Sequence, residues 1–195
     1  MRVGLISDTH VPGGAPEIPT QVATAFQGVD LILHAGNIYR PDTLDRLELI
    51  APVKATGAIY GDRMETPTAY AMECAGDPRV ARQQIMELEG HRVGVVNNLL
   101  MDGFNDELLP GVIAAHNLPE GSLPAKIEDY FGTALDIVVF GRTLHALVEE
   151  SQGLLFINPG SPSLPRQMRR LGTVAILELT PGKRKAWLVD LKEIG

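Results

Sequence analysis

Val3-Gly4-Leu5-Ile6-Ser7-Asp8-Thr9-His10 passes without a break from an apolar tetrapeptide into four polar side chains. A short apolar run that stops at polar or glycine residues reads as a buried strand. The same change recurs along the chain. Leu31-Ile32-Leu33 stops at His34-Ala35-Gly36-Asn37, and Val93-Gly94-Val95-Val96 stops at Asn97-Asn98. Ile137-Val138-Val139-Phe140 stops at Gly141-Arg142-Thr143, and Leu154-Leu155-Phe156-Ile157 stops at Asn158-Pro159-Gly160-Ser161. Pro52-Val53-Lys54-Ala55 is a further strand candidate. Residues 174–179 and 185–190 read as a closing hairpin across Pro181-Gly182. Helical spacing is expected over Pro19 to Gly28, Pro41 to Ile50, Asn105 to Asn117 and Ser122 to Phe131. Strands and helices that alternate early, then strands in succession, predict an α/β domain with mixed sheets. In such sheets ligands bind beyond the carboxyl ends of the strands. Asp8, His10, Asn37, Asn97 and Arg142 are therefore candidates to share one site.

The chain has 195 residues, of which 45% are apolar. That suffices for one good-sized core, and no linker or repeat divides it, so a single domain over residues 1–195 is expected. Asp+Glu number 24 against Lys+Arg 17, a net charge of −7. A general affinity for nucleic acid or anionic membrane needs a basic face, so neither partner is expected. Cys74 is the single cysteine, which excludes an intrachain disulfide and a cysteine-built zinc site. The five histidines, His10, His34, His91, His116 and His145, permit a histidine-rich metal site. The first residues carry no apolar leader, and no stretch approaches the roughly 18–20 apolar residues of a membrane helix. A cytoplasmic location is expected.

These motifs resemble those of the calcineurin-like metallophosphoesterases, in particular the small bacterial and archaeal phosphodiesterases and the retromer subunit that shares their fold. Ser7-Asp8-Thr9-His10 is similar to the family's opening Asp-x-His, and His34-Ala35-Gly36-Asn37-Ile38 to its His-x-Gly-Asp-x. Residues 53–62, 93–99 and 140–144 lie where Gly-Asn-x-Asp, His-Gly-His and Gly-His-Thr-His belong. Residues 156–162 match the Asn-Pro-Gly-Ser segment. The resemblance runs nearly end to end. It implies a four-layer α-β-β-α sandwich of two mixed sheets. It also implies a two-metal hydrolase of phosphoesters, in which paired cations polarise the phosphoryl group and generate hydroxide.

The ligand positions depart from that pattern. Asp8 and His10 are present. Asn37 replaces the bridging Asp, Ile59 aligns with an Asn ligand, Asn97 replaces a His, and Arg142 and Leu144 replace the two histidines of Gly-His-Thr-His. Asp62, through a short insertion, or His145, one residue late, are the alternatives for a lost ligand. The aligned groups leave one carboxylate, Asp8, and one guanidinium, Arg142, which could neutralise each other without metal. Arg142 cannot lose its proton and would repel a cation.

The expectation is a metallophosphoesterase-like protein with a degenerate centre. It takes no cofactor, or at most one manganese, iron, zinc or nickel ion on Asp8 and His10. Its pocket, formed by Asp8, His10, Asn37, Asn97 and Arg142, would take phosphate or a small phosphoester. The alternative is an active phosphodiesterase with one metal at Asp8/His10 and Arg142 as phosphate clamp. A protein partner or a homodimer is a further reading, resting on Met64, Tyr70, Met72, Met101 and the Leu108 to Leu118 stretch. His34 is expected to support the site, and His91 and His116 to lie on the surface. Asp136 is expected to end a turn, and Cys74 to be a spectator. Arg166, Arg169 and Arg170 read as a solvated turn paired with Glu149 and Glu150.

Overall fold

A computed structural model describes residues 1–13, 15–60, 71–100, 108–115, 118–163 and 170–195. Asp62, Met64, Tyr70, Met101, His116, Arg166 and Arg169 lie outside the described residues. The chain runs β1 (Arg2–Ile6), α1 (Gln21–Ala25), β2 (Leu31–His34), α2 (Pro41–Glu48), β3 (Val53–Thr56), β4 (Ile59–Tyr60), β5 (Ala71–Met72), β6 (Val80–Ala81), β7 (Gln83–Leu88) and β8 (His91–Val96). It continues α3 (Val112–Ala115), α4 (Ser122–Phe131), β9 (Ile137–Phe140), β10 (Leu147–Ser151), β11 (Leu154–Asn158), β12 (Thr173–Thr180) and β13 (Lys183–Asp190), and ends in a turn of 3₁₀ helix at Leu191–Glu193.

Two mixed sheets result. The first has the order β13-β12-β1-β2-β3-β6, with β1, β2, β3 and β6 parallel, β12 antiparallel to β1, and β13 antiparallel to β12. The second has the order β10-β11-β9-β8-β7, with a parallel centre of β11, β9 and β8 and an antiparallel strand on each edge. Strands β4 and β5 pair separately. The sheets meet through fully buried side chains, Val3, Leu5 and Leu33 from one and Val95, Ile137 and Ile157 from the other. On the outer face of the first sheet, Phe26, Leu44 and Leu47 from the α1 and α2 region cover Ile32, Val53 and Ile176. On the outer face of the second, Ile113, Leu123 and Ile127 from α3 and α4 cover Val138, Phe140 and Phe156. The four layers are α, β, β and α.

The central strands lie buried on both faces, which is why they read as continuous apolar runs. Edge strands alternate instead. Gln83-Gln84-Ile85-Met86-Glu87-Leu88 and Leu147-Val148-Glu149-Glu150-Ser151 carry polar residues between apolar ones, and the apolar-run reading passed over both. Helix α4 spans Ser122–Phe131 as expected. Gly132, in the left-handed region, ends it with its N–H on the Glu128 carbonyl at 2.7 Å. The expected helix from Pro19 to Gly28 shortens to Gln21–Ala25. Phe26 leaves helical geometry there, and Val29 N–H turns back to the Phe26 carbonyl at 3.2 Å. The Phe26 ring then covers Gly4, where a Cβ would stand only 3.0 Å from it.

His91 is not a surface residue. It is 8% exposed, and its Nε2 sits 3.0 Å from the Thr180 carbonyl. The expected pairing of Glu149 and Glu150 with Arg166 and Arg169 falls outside the described residues. Glu149 accepts from Gly111 N–H at 2.5 Å and Glu150 pairs with Arg184 at 2.8 Å.

Candidate functional site

The carboxyl ends of β1, β2, β8, β9 and β11 converge, and Asp8 stands at their centre with no solvent exposure. Its carboxylate is surrounded by neutral donors. Asn37 Nδ2 donates to Oδ1 at 2.6 Å, Arg142 N–H reaches Oδ1 and Oδ2 at 3.1 and 3.0 Å, and the Ser7 hydroxyl lies 2.8 Å from Oδ2. Burial nevertheless dominates and raises the Asp8 pKa to about 6. The hydrogen bonds from Asn37, Ser7 and Arg142 oppose that rise, and the charge of Glu73 adds to it. Asp8 and the Arg142 guanidinium, which could have neutralised each other, form no ion pair. The backbone N–H of Arg142 serves Asp8, and the exposed side chain meets no carboxylate within ion-pair distance among the described residues.

His10 is partly buried. Its Nε2 lies 3.8 Å from Asp8 Oδ1, and its ring stands edge-on to Tyr39 with centroids 5.0 Å apart. Burial lowers its pKa, and Glu73 works against that shift. Asn97 donates Nδ2 to the Ala35 carbonyl at 3.0 Å and lies over Gly36, where any Cβ would collide with it. It therefore ties β8 to the loop after β2. His145 is exposed, with its N–H 3.3 Å from Thr143 Oγ1.

Three loops share one backbone device. Left-handed φ values pair at every second residue, Asp8 (52°) with His10 (48°), Asn37 (59°) with Tyr39 (72°), and Arg142 (72°) with Leu144 (62°). Each such residue costs roughly 1 kcal/mol or more. Between them the buried Thr9, Ile38 and Thr143 anchor each loop. The loops also bond to one another, Asp8 N–H to the Gly36 carbonyl and His10 N–H to the Asn37 carbonyl, both at 2.9 Å.

Residues beyond the five candidates hold these loops. Asn158 Nδ2 reaches Thr143 Oγ1 at 3.0 Å, its Oδ1 accepts from Gly160 N–H at 2.9 Å, and the Ser161 hydroxyl donates to the Asp8 carbonyl at 2.8 Å. The Asn-Pro-Gly-Ser segment is thus a clip joining the β1 and β9 loops. His34, fully buried, accepts Gly36 N–H at Nδ1 (3.1 Å), so Nε2 carries the proton and donates to Thr9 Oγ1 at 3.1 Å. Burial first, and the neighbouring His10 second, push its pKa down to about 3. Its expected supporting place is where it stands.

Glu73, which no sequence motif marks, joins the site. It is 6% exposed, its Oε1 accepts from Tyr39 N–H at 2.5 Å, and its Oε2 accepts from Ala58 N–H at 3.1 Å. The neighbourhood thus holds two carboxylates where the aligned positions supplied one. Ala71-Met72-Glu73-Cys74 has no motif to mark it. A lone acid inside a weakly apolar stretch is the sole signal. The Cys74 thiol is pushed up to about 11 by burial and nearby acids, as befits a spectator. Beside the loops opens a cleft of about 750 Å³, with Arg82, Asn97 and Arg142 in its lining.

Two mixed sheets face to face, with an Asp-x-His strand end and an Asn-Pro-Gly-Ser clip at their carboxyl edge, define a metallophosphoesterase domain. The calcineurin-like phosphoesterase superfamily domain matches residues 1–182, and the chain belongs to that superfamily. A probable metallophosphoesterase of Methanothermobacter thermautotrophicus is 33% identical over 172 residues, covering 85% of this chain and 80% of that protein. Among solved structures, the zinc complex of Vps29 from Entamoeba histolytica aligns with a TM-score of 0.61 at 20% identity, covering 98% of this chain and 99% of its own. An archaeal phosphodiesterase aligns at 0.58 and 16% identity, covering 97% and 100%. At these identities the two structures speak for the fold.

Proposed function

We propose that this metallophosphoesterase-family protein binds a phosphate or small phosphoester at a degenerate centre that lacks efficient two-metal hydrolysis. The observation that carries this reading is the state of Asp8, whose two oxygens accept from the Asn37 amide and the Arg142 N–H. These residues do not fit a pair of divalent cations. Asn37 and Asn97 offer a neutral amide oxygen in place of a bridging carboxylate and an imidazole, and the side chains of Ile59 and Leu144 have no ligand atom. Arg142 carries a permanent positive charge. Among the described residues, no three of His, Cys, Asp and Glu gather as a cation cage. An anion finds better partners here, since a guanidinium grips phosphate oxygens bidentately.

Metal content of protein purified with manganese tests the proposal, together with hydrolysis of an aryl phosphodiester across several divalent metals. Metal well below one ion per chain and no rate above buffer are expected. Two ions per chain would overturn it. The second reading is an active phosphodiesterase with one ion on Asp8 and His10 and Arg142 as clamp. It is favoured by the 3.8 Å approach of His10 Nε2 to Asp8 and by the burial that keeps His10 neutral. One tightly held ion with measurable hydrolysis would select it.

A further inference from the structure

In a chain of net charge −7, the described lining of the cleft beside the centre holds two guanidinium groups, Arg82 and Arg142, and no carboxylate. Both are exposed, and among the described residues neither meets a carboxylate within ion-pair distance. Arg40, Arg46, Arg79 and Arg184 are all paired with acids. The same lining includes the apolar side chains of Ile59, Met72 and Leu100. Ile59 is 40% and Leu100 67% exposed, so two of the six exposed large apolar side chains among the described residues share this cleft. Tyr130 closes one side, its hydroxyl held by the Asn98 carbonyl at 2.9 Å. Two guanidinium groups without an acidic partner among the described residues, lining a cleft together with exposed apolar side chains, suit an anion that carries an apolar body. A volume of about 750 Å³ admits a nucleotide-sized molecule.

We propose that the cleft is a specificity subsite for the organic portion of a phosphate-bearing ligand. Arg82 supplies a second cation, and Ile59, Met72 and Leu100 take a flat or branched apolar group. The placing of the phosphate at Arg142 rests on the reading of the centre as an anion binder. The apolar discrimination does not.

Calorimetric titration of the full chain with inorganic phosphate, phenyl phosphate and phenol tests both parts. The wild type is compared with Arg82→Ala, Leu100→Ser and Arg142→Ala. Arg82 and Leu100 are exposed, so neither replacement opens the core. Phenyl phosphate is expected to bind about tenfold tighter than inorganic phosphate, because the ring leaves water. That advantage is expected to fall about threefold in Leu100→Ser, and Arg82→Ala to weaken phenyl phosphate by about tenfold. Arg142→Ala is expected to weaken both anions alike. Equal affinity for the two anions in the wild type overturns the subsite and leaves the anion-binding centre standing. Phenol binding as tightly as phenyl phosphate, or an advantage untouched by both Arg82→Ala and Leu100→Ser, also overturns it. Failure of both anions to bind sinks the subsite and the centre together.

Discussion

Arg79 and Asp8 hold their charges in opposite ways. Arg79 sits at a corner where Asp77, Asp45 and Glu48 approach its guanidinium at 2.7, 2.7 and 2.8 Å. Charge there is cancelled by charge, which raises the Arg79 pKa and lowers that of Asp77. Asp8 is surrounded by an amide, a backbone N–H and a hydroxyl, with no Lys or Arg side chain in ion-pair contact among the described residues; His10 stands near, its pKa lowered by burial. The guanidinium of Arg142, whose backbone serves Asp8, lines the cleft instead. Arg79 and Arg82 are three residues apart, yet the first is ringed by acids and the second meets no carboxylate within ion-pair distance among the described residues.

The largest test of this contrast is acid. His34 has its pKa depressed from 6.5 to about 3. Its contribution is present above 6.5 and is lost as pH falls toward 3, by roughly 5 kcal/mol over the window. Urea unfolding at pH 7, 5 and 4 is expected to show the decline in the wild type and a flatter profile in His34→Gln. An equal decline in both would remove the buried imidazole from the account. Asp8 acts with the opposite sign. Its pKa is raised from 3.8 to about 6, so its contribution is greatest below 3.8 and is lost as pH rises through 6, by about 3 kcal/mol. Relative to wild type, Asp8→Asn is expected to gain stability between pH 4 and pH 7. If it gains none, the neutral donors satisfy the ionised carboxylate fully.

Arg79→Ala is expected to cost about 1–2 kcal/mol, since it strands a half-satisfied Asp77 while its other partners remain in water. It should leave anion affinity at the centre unchanged, and a loss of phosphate binding would erase the contrast between corner and cleft. The smallest effect belongs to Arg142→Ala. Asp8 is served by the backbone N–H, which alanine retains, so stability is expected to move by less than about 0.5 kcal/mol. The substitution does place alanine at φ 72°, and Arg142→Gly, which adopts that angle freely, separates any backbone cost from the lost guanidinium. A large loss in alanine restored by glycine would sharpen the account of the left-handed loops.

Much of the fold could be read directly. Central strands of a double sandwich are buried on both faces, so Val3–Ile6, Leu31–Leu33 and Ile137–Phe140 announce themselves in composition. Edge strands share their face with water, and β7 and β10 therefore carry polar residues that resemble loops. The same burial explains His91. Its ring is covered through Thr180, which lies 89 positions away, and no local pattern encodes that contact.

For the site, the amino-acid sequence by itself determined where polar residues interrupt the apolar runs, and so that Asp8, His10, Asn37, Asn97 and Arg142 stand at strand ends. It also determined the family and the departures at its ligand positions. Only the tertiary structure decided what those residues do to one another. It turned the Arg142 backbone toward Asp8 and its guanidinium away, tied Asn97 to the Ala35 carbonyl, and brought Glu73 in against Tyr39 and Ala58. The reason is physical. Residue type fixes which groups carry charge, but the choice between a side chain and a backbone N–H as partner is made by φ angles of 48° to 72°. Packing between two sheets holds those angles.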